Sequence, residues 1–131
     1  MENRRTKPAI AAYQQASDLA PHNAMIQGGL GRALLADGQY TAAVEALQRS
    51  RDRDSKNAYV LRDLGQAYAH LGQNGMAALA TAERFALWGE MENALLHARR
   101  AMVLLPEGSV PWRRAEDVLV TAERLTKRKK R

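Results

Sequence analysis

The sequence predicts an all-α fold, a right-handed helical solenoid of about seven antiparallel helices. Three observations carry that prediction. Gly38 and Gly72 stand thirty-four residues apart, and each closes a run of the same type, Leu30-Gly31-x-x-Leu34 in one case and Leu64-Gly65-x-x-Tyr68 in the other. Apolar residues recur at the three-and-four spacing of one helix face. Aromatics make up only 5% of the chain within an apolar share of 46%, so the core must be built from Ala and Leu, which suits closely packed helices. A fixed period of this length marks stacked helix pairs, none of which can bury its apolar face alone.

Seven helices follow from periodicity and punctuation. The first is predicted over 7–19, with Thr6 as N-cap and Pro8 in the first turn, where its missing N–H costs little. Ile10, Tyr13, Ala16 and Leu19 share one face of it, and Pro21 is the stop. The second and third are predicted over 24–36 and 40–52, parted by Asp37-Gly38, and the fourth and fifth over 58–71 and 75–88, parted by Gly72-Gln73-Asn74. The sixth, over 91–104, places Met91, Ala94, Leu95, Ala98, Ala101 and Met102 on one stripe and ends before Pro106-Glu107-Gly108. The seventh starts from Ser109 as N-cap, with Pro111 in its first turn. Its stripe of Trp112, Ala115, Leu119, Ala122 and Leu125 faces the core, while Arg113, Arg114, Asp117 and Arg124 face water, so it reads as a C-terminal cap.

These runs resemble the tetratricopeptide repeat (TPR), whose pattern is Trp-x-x-Leu-Gly-x-x-Tyr, then Ala-x-x-x-Phe, then Pro, on a period of about 34 residues. Residues 1–126 are assigned to the repeat domain and 127–131 to a basic tail. A half repeat over 9–23 is followed by a full repeat over 24–57, with Gln27 where Trp is usual and Ser55 where Pro is usual. Another opens at 58–74. Gly89 then follows Gly72 by seventeen residues, half a period, which places a half-period-shifted repeat over 75–108 and a capping helix over 109–126. Gly31, Gly65 and Ala82 fall where the first helix of each repeat presses on the second, with Ala43, Ala77 and Ala94 opposite. An array that opens in mid-repeat is expected to be part of a longer protein.

The resemblance also implies a binding surface. In such arrays the first helix of each repeat lines a concave face, at positions Met25, Arg32 and Leu35 in one repeat and Tyr59, Arg62, Gln66 and His70 in the next. That mixed apolar and basic groove suits a protein or extended peptide carrying acidic and apolar side chains, not a small-molecule substrate. The Lys/Asn set of the chaperone-tail clamp is absent, since Gly28 and Arg32 occupy those positions.

Charge adds little to this picture. The formal charge of +6 over 131 residues includes five from Lys127 to Arg131, which leaves +1 on residues 1–126. A basic tail binds nucleic acid or an anionic membrane by counterion release. With no aromatic interleaved in the run, it reads instead as a solvated end. There is no Cys, which removes disulfides and thiolate metal sites. No apolar run reaches the ~18–20 residues of a membrane span, and Gln14, Gln15 and Asp18 interrupt the Ala-rich stretch that would otherwise suggest a signal peptide.

Catalytic chemistry finds no residues. His22, His70 and His97 are the three histidines, and none stands in an H-E-x-x-H motif. Glu92 and His97 are five apart, off one helix face. Gly28-Gly29-x-Gly31 lies inside a helical repeat with no strand before it, so it is no dinucleotide fingerprint. No cofactor or metal is expected in this chain.

One stretch is more specific than a generic repeat. The run Gly75-Met76-Ala77-Ala78-Leu79-Ala80-Thr81-Ala82-Glu83, then Gly89, then Leu105-Pro106-Glu107-Gly108-Ser109-Val110-Pro111-Trp112-Arg113-Arg114-Ala115-Glu116-Asp117 resembles the C-terminal TPR region of bacterial zinc metallopeptidases of the BepA type, relatives of HtpX. Val110, between Ser109 and Pro111, departs from that pattern. The resemblance implies a periplasmic location, zinc held only by a peptidase domain outside this chain, and repeats that engage substrates or assembly partners. The alternative is a free-standing cytoplasmic TPR adaptor or co-chaperone.

Overall fold

The computed structural model describes residues 3–129, with side chains from Arg5 to Arg128. Seven helices follow in order: α1 Asn3–Leu19, α2 Ala24–Ala36, α3 Tyr40–Arg53, α4 Ala58–His70, α5 Asn74–Leu87, α6 Met91–Leu104 and α7 Val110–Lys129. Among the described residues there is no strand. The all-α helical-repeat fold is thus the one the sequence predicts. The connections are three to five residues long, short enough that successive helices within each packed group run antiparallel. Gly38, Gly72 and Gly89 each sit at positive φ just after a helix, at 80°, 73° and 76°. Glycine reaches that left-handed conformation without a Cβ clash, which is why the period is spelled in glycines.

The helices form two compact units divided after Leu71. In the first, α2 packs on α1, α3 and α4, and α3 packs on α4. Its core contains Leu30, Leu34, Ala43, Ala46, Leu47, Leu61 and Leu64, all buried. In the second, α5, α6 and α7 pack on one another around Ala78, Leu79, Ala101 and Ala115, with Met76, Met102 and Leu105 against them. Ala82, Ala94, Ala98 and Ala122 are also fully buried. Small side chains at the contacts let helix backbones approach closely, as the composition requires.

Close approach is clearest at two glycines. A Cβ on Gly31 would lie 2.6 Å from Leu47 Cδ2 and 3.2 Å from the Leu47 backbone nitrogen, so α2 presses directly on α3. A Cβ on Gly75 would lie 2.9 Å from Leu105 Cδ2, where α5 meets the end of α6.

Four sequence expectations need correction. Thr6 is not an N-cap: α1 begins at Asn3, and the Thr6 hydroxyl donates to Asp37 Oδ1 at 2.7 Å, tying α1 to the α2–α3 turn. Pro8 consequently lies inside the helix, at the cost of one backbone bond. Arg114 does not face water, because it grips Glu83 of α5 through two hydrogen bonds of 2.6 and 3.3 Å. The basic tail is helical in part, since α7 continues through Lys127 and Arg128 to Lys129; Lys130 and Arg131 lie outside the described residues.

Candidate functional site

The candidate surface is built from the first unit. Asn23 and Asn57 cap α2 and α4: the Asn23 side chain accepts from the Ile26 N–H at 3.0 Å, and that of Asn57 from the Tyr59 and Val60 N–H groups at 3.0 and 3.3 Å. Each cap satisfies amides that helix geometry leaves unpaired. The matched caps start both helices in the same phase, so Met25 and Tyr59 occupy equivalent positions, the second residue of each helix.

Beneath this surface a buried polar hub locks α1, α2 and α3 together. Gln27, 1% exposed, donates to Ser17 Oγ at 2.7 Å and to the Pro21 carbonyl at 3.2 Å, and its Oε1 accepts from Arg49 Nε at 2.9 Å. Ser50, equally buried, donates to the Ala24 carbonyl at 2.8 Å. Gln27 stands where the repeat usually has Trp, and its three hydrogen bonds offset the cost of burying an amide.

Above the hub, a cavity of about 550 Å³ opens between α1, α2 and α4. Gly28 and Gly29 form its floor, with Tyr13, Met25, Arg32, Tyr59 and Asp63 around it. The floor is low because it has no side chains. A Cβ on Gly28 would come within 3.1 Å of Ser50 Oγ and 3.4 Å of Val60 Cγ2, and one on Gly29 within 2.5 Å of Tyr13 Cζ. Gly29 therefore lets the Tyr13 ring lie against the α2 backbone. Met25 and Tyr59 are 85% and 67% exposed, two large apolar surfaces beside one opening.

The electrostatics differ from a purely basic groove. Asp63 has a side chain only 7% exposed and lies between two arginines: Arg62 Nη2 is 3.3 Å from its Oδ1, and Arg32 Nε is 4.0 Å from its Oδ2. Arg62 also lies over the Tyr59 ring, 5.3 Å from its centre, which fixes that ring's position. One carboxylate thus offsets one of the two cations. Arg32, its side chain 64% exposed, keeps most of its hydrogen-bonding capacity for a ligand.

Of the seven residues singled out from sequence, Met25, Arg32 and Tyr59 line the cavity. Arg62 supports it from the Tyr59 side. Leu35 is half-buried and Gln66 exposed, and neither lines it. His70 stacks flat on Tyr40 of α3, ring centres 4.2 Å apart and planes at 2°, which commits it to packing. Sequence reasoning missed Tyr13, Asp63 and the glycine floor. The signal for the floor was the Gly28-Gly29 pair itself, unusual inside a helix.

Among the described residues, no group of three His, Asp or Glu side chains gathers as a metal site, and no helix is long and apolar enough to cross a membrane. The family model described as tetratricopeptide repeat matches residues 1–58 and 29–90. No curated protein matches the chain.

Proposed function

The chain belongs to the tetratricopeptide-repeat family, and we propose that it is a protein-interaction module whose α1–α2–α4 cavity receives an extended segment of a partner protein. The observation that carries this reading is the convergence of Tyr13, Met25 and Tyr59 over the Gly28-Gly29 floor, with the exposed Arg32 guanidinium at the rim. Such a site takes one apolar or aromatic side chain into the opening and one neighbouring carboxylate onto Arg32. Burial of the apolar group supplies affinity, and the charge sets register and on-rate. Because Asp63 already offsets one cation, a single acidic residue completes the charge balance.

The test uses short extended peptides that carry one aromatic residue beside a Glu, titrated into the full chain. Neutralising Arg32→Gln is preferable to charge reversal, which would set a new carboxylate against buried Asp63. The variant is expected to bind several-fold more weakly, with a loss that shrinks as salt is added. Equal affinity in the folded variant would move the site elsewhere.

A narrower reading follows from the run Leu105-Pro106-x-Gly108-Ser109-x-x-Trp112-x-Arg114-Ala115-x-Asp117. In it the module serves a periplasmic zinc metallopeptidase of the BepA type, with the metal confined to a separate peptidase domain. Several of these residues also have structural tasks: Gly108 takes φ 80°, the Ser109 hydroxyl accepts from the Trp112 N–H at 3.3 Å, Arg114 holds Glu83 and Ala115 is fully buried. The competing reading is a free-standing cytoplasmic adaptor or co-chaperone. Sequencing the natural gene discriminates between them, since an in-frame H-E-x-x-H upstream supports the first and its absence the second.

A further inference from the structure

The second compact unit carries a cationic and aromatic cluster that takes no part in the α1–α2–α4 cavity. On α5 and its C-terminal turn, the Arg84 guanidinium lies over two rings, 5.3 Å from the Trp88 centre and 5.4 Å from the Phe85 centre. Phe85 meets Trp88 edge-on at 6.0 Å and stacks on His97 of α6 at 5.4 Å. Trp88 nevertheless remains 55% exposed. This ordered set of rings presents one aromatic face to solvent beside a fixed cation.

The charges in the cluster are uncompensated. Arg84 Nε is buried and meets no acceptor. Among the described residues, neither Arg84 nor Arg100 has a carboxylate within ion-pair distance. Glu83, next to Arg84 in sequence, pairs instead with Arg114 at 2.6 Å, and Glu123 pairs with Arg99 at 4.0 Å. The His97 pKa lies below its usual value, first through burial and then through the positive fields of Arg100 and Arg84, so all three groups share one electropositive neighbourhood. A guanidinium stacked on a ring has its orientation fixed, and its remaining N–H groups suit a planar two-oxygen acceptor. On α6, Leu96, Arg100 and Val103 follow one another at helical spacing on one face, and all three are exposed.

We propose that this α5–α6 face is a second recognition site, for an acidic peptide segment whose carboxylate is held by Arg84 and Arg100 and whose apolar side chain lies against Trp88. A peptide fits better than single-stranded nucleic acid. There is one exposed ring in the cluster rather than a succession of stacking platforms, and the exposed residues that share the Arg100 face of α6 are the aliphatic Leu96 and Val103. Positive charge is also local here, because residues 1–126 sum to only +1.

The chain has two tryptophans, so Trp112→Phe in the full chain leaves Trp88 as the sole indole reporter. A short peptide of alternating Glu and Leu, an oligo-dT strand and inorganic phosphate are titrated separately, following Trp88 emission and the NMR titration of the His97 ring. The peptide is expected to shift the emission and raise the His97 midpoint, because a bound anion offsets the two arginines. Arg100→Gln, an exposed change that spares the core, should weaken peptide binding roughly tenfold. Arg84→Lys should also weaken it, since charge is kept while the flat stack is lost. Arg32→Gln should leave the Trp88 response unchanged, so the two sites fail separately. The proposal is overturned if the peptide moves neither reporter, if Arg100→Gln binds with parental affinity, if phosphate alone reproduces the peptide response, or if oligo-dT binds more tightly than the peptide.

Discussion

Gly31→Val tests the helix-pair packing most directly. The added Cβ would lie 2.6 Å from Leu47 Cδ2 and 3.2 Å from the Leu47 backbone nitrogen, whereas carbon atoms rest at about 3.5–4.0 Å. An opening of about 1 Å is therefore required. Leu47 cannot supply it by rotating, because it is fully buried, as are Ala43 and Ala46 on the same helix. Overpacking of this kind costs roughly 2–3 kcal/mol. Valine's better helix propensity returns only about 0.3 kcal/mol, so the net loss is about 2 kcal/mol, read as a fall of roughly 5–10 °C in the CD melting midpoint. Gly29→Val is the control. Its Cβ meets the end of the Tyr13 ring, which is 37% exposed and free to swing, so that variant should stay within about 1 kcal/mol of the parent. Adding Leu47→Ala to Gly31→Val should relieve the clash, giving a coupling of at least ~1 kcal/mol in a double-mutant cycle. A Gly31→Val chain that melts with the parent, or a cycle that is strictly additive, would refute the packing argument.

Two further outcomes are expected. Trp112 is half-buried, so Trp112→Ala should cost roughly 2 kcal/mol in urea denaturation, about half the value for a fully enclosed aromatic; a loss near zero would mean that α7 is not docked by this ring. Acid should destabilise the chain in two steps. The His97 pKa is depressed from 6.5, so the unfolded chain binds the proton first; its share of stability is complete above that value and is lost as pH falls below it. The Asp37 pKa is lowered from 3.8 by hydrogen bonds from Gln39 and then Thr6, so its share persists above that value and disappears as pH falls through the folded pKa. Unfolding midpoints against pH should therefore lose the upper step in His97→Gln and show a reduced lower step in Thr6→Val. Parallel pH profiles for parent and variants would contradict both assignments.

The helices were legible because their signals are local. Gly38, Gly72 and Gly89 mark turns through a backbone conformation that one residue type favours, and Ser109 caps α7 through a hydroxyl three residues from the amide it satisfies. The candidate surface was only half legible. Met25, Arg32 and Tyr59 follow from the repeat frame, but His70 occupies an equally good frame position and is taken up by Tyr40. That stack joins residues thirty apart in sequence, and no helical period encodes it. Arg114 was misplaced for the same reason, since its partner Glu83 is thirty-one residues away.

By itself, then, the sequence determined the helix order, the close approach at Gly31 and the buried small positions Ala43, Ala82 and Ala94, and the interaction-module character, because each depends on spacing within about two turns or on a fixed repeat. Tertiary structure alone decided which polar groups meet. Gln27 became a buried hub because Ser17, Pro21 and Arg49 converge on it. Asp63 tempers an apparently basic surface because it lies between Arg32 and Arg62. Arg84 Nε is left without an acceptor while Glu83, its neighbour in sequence, turns to Arg114. Hydrogen bonds and ion pairs act over a few ångströms, and those distances are set only after the helices have packed.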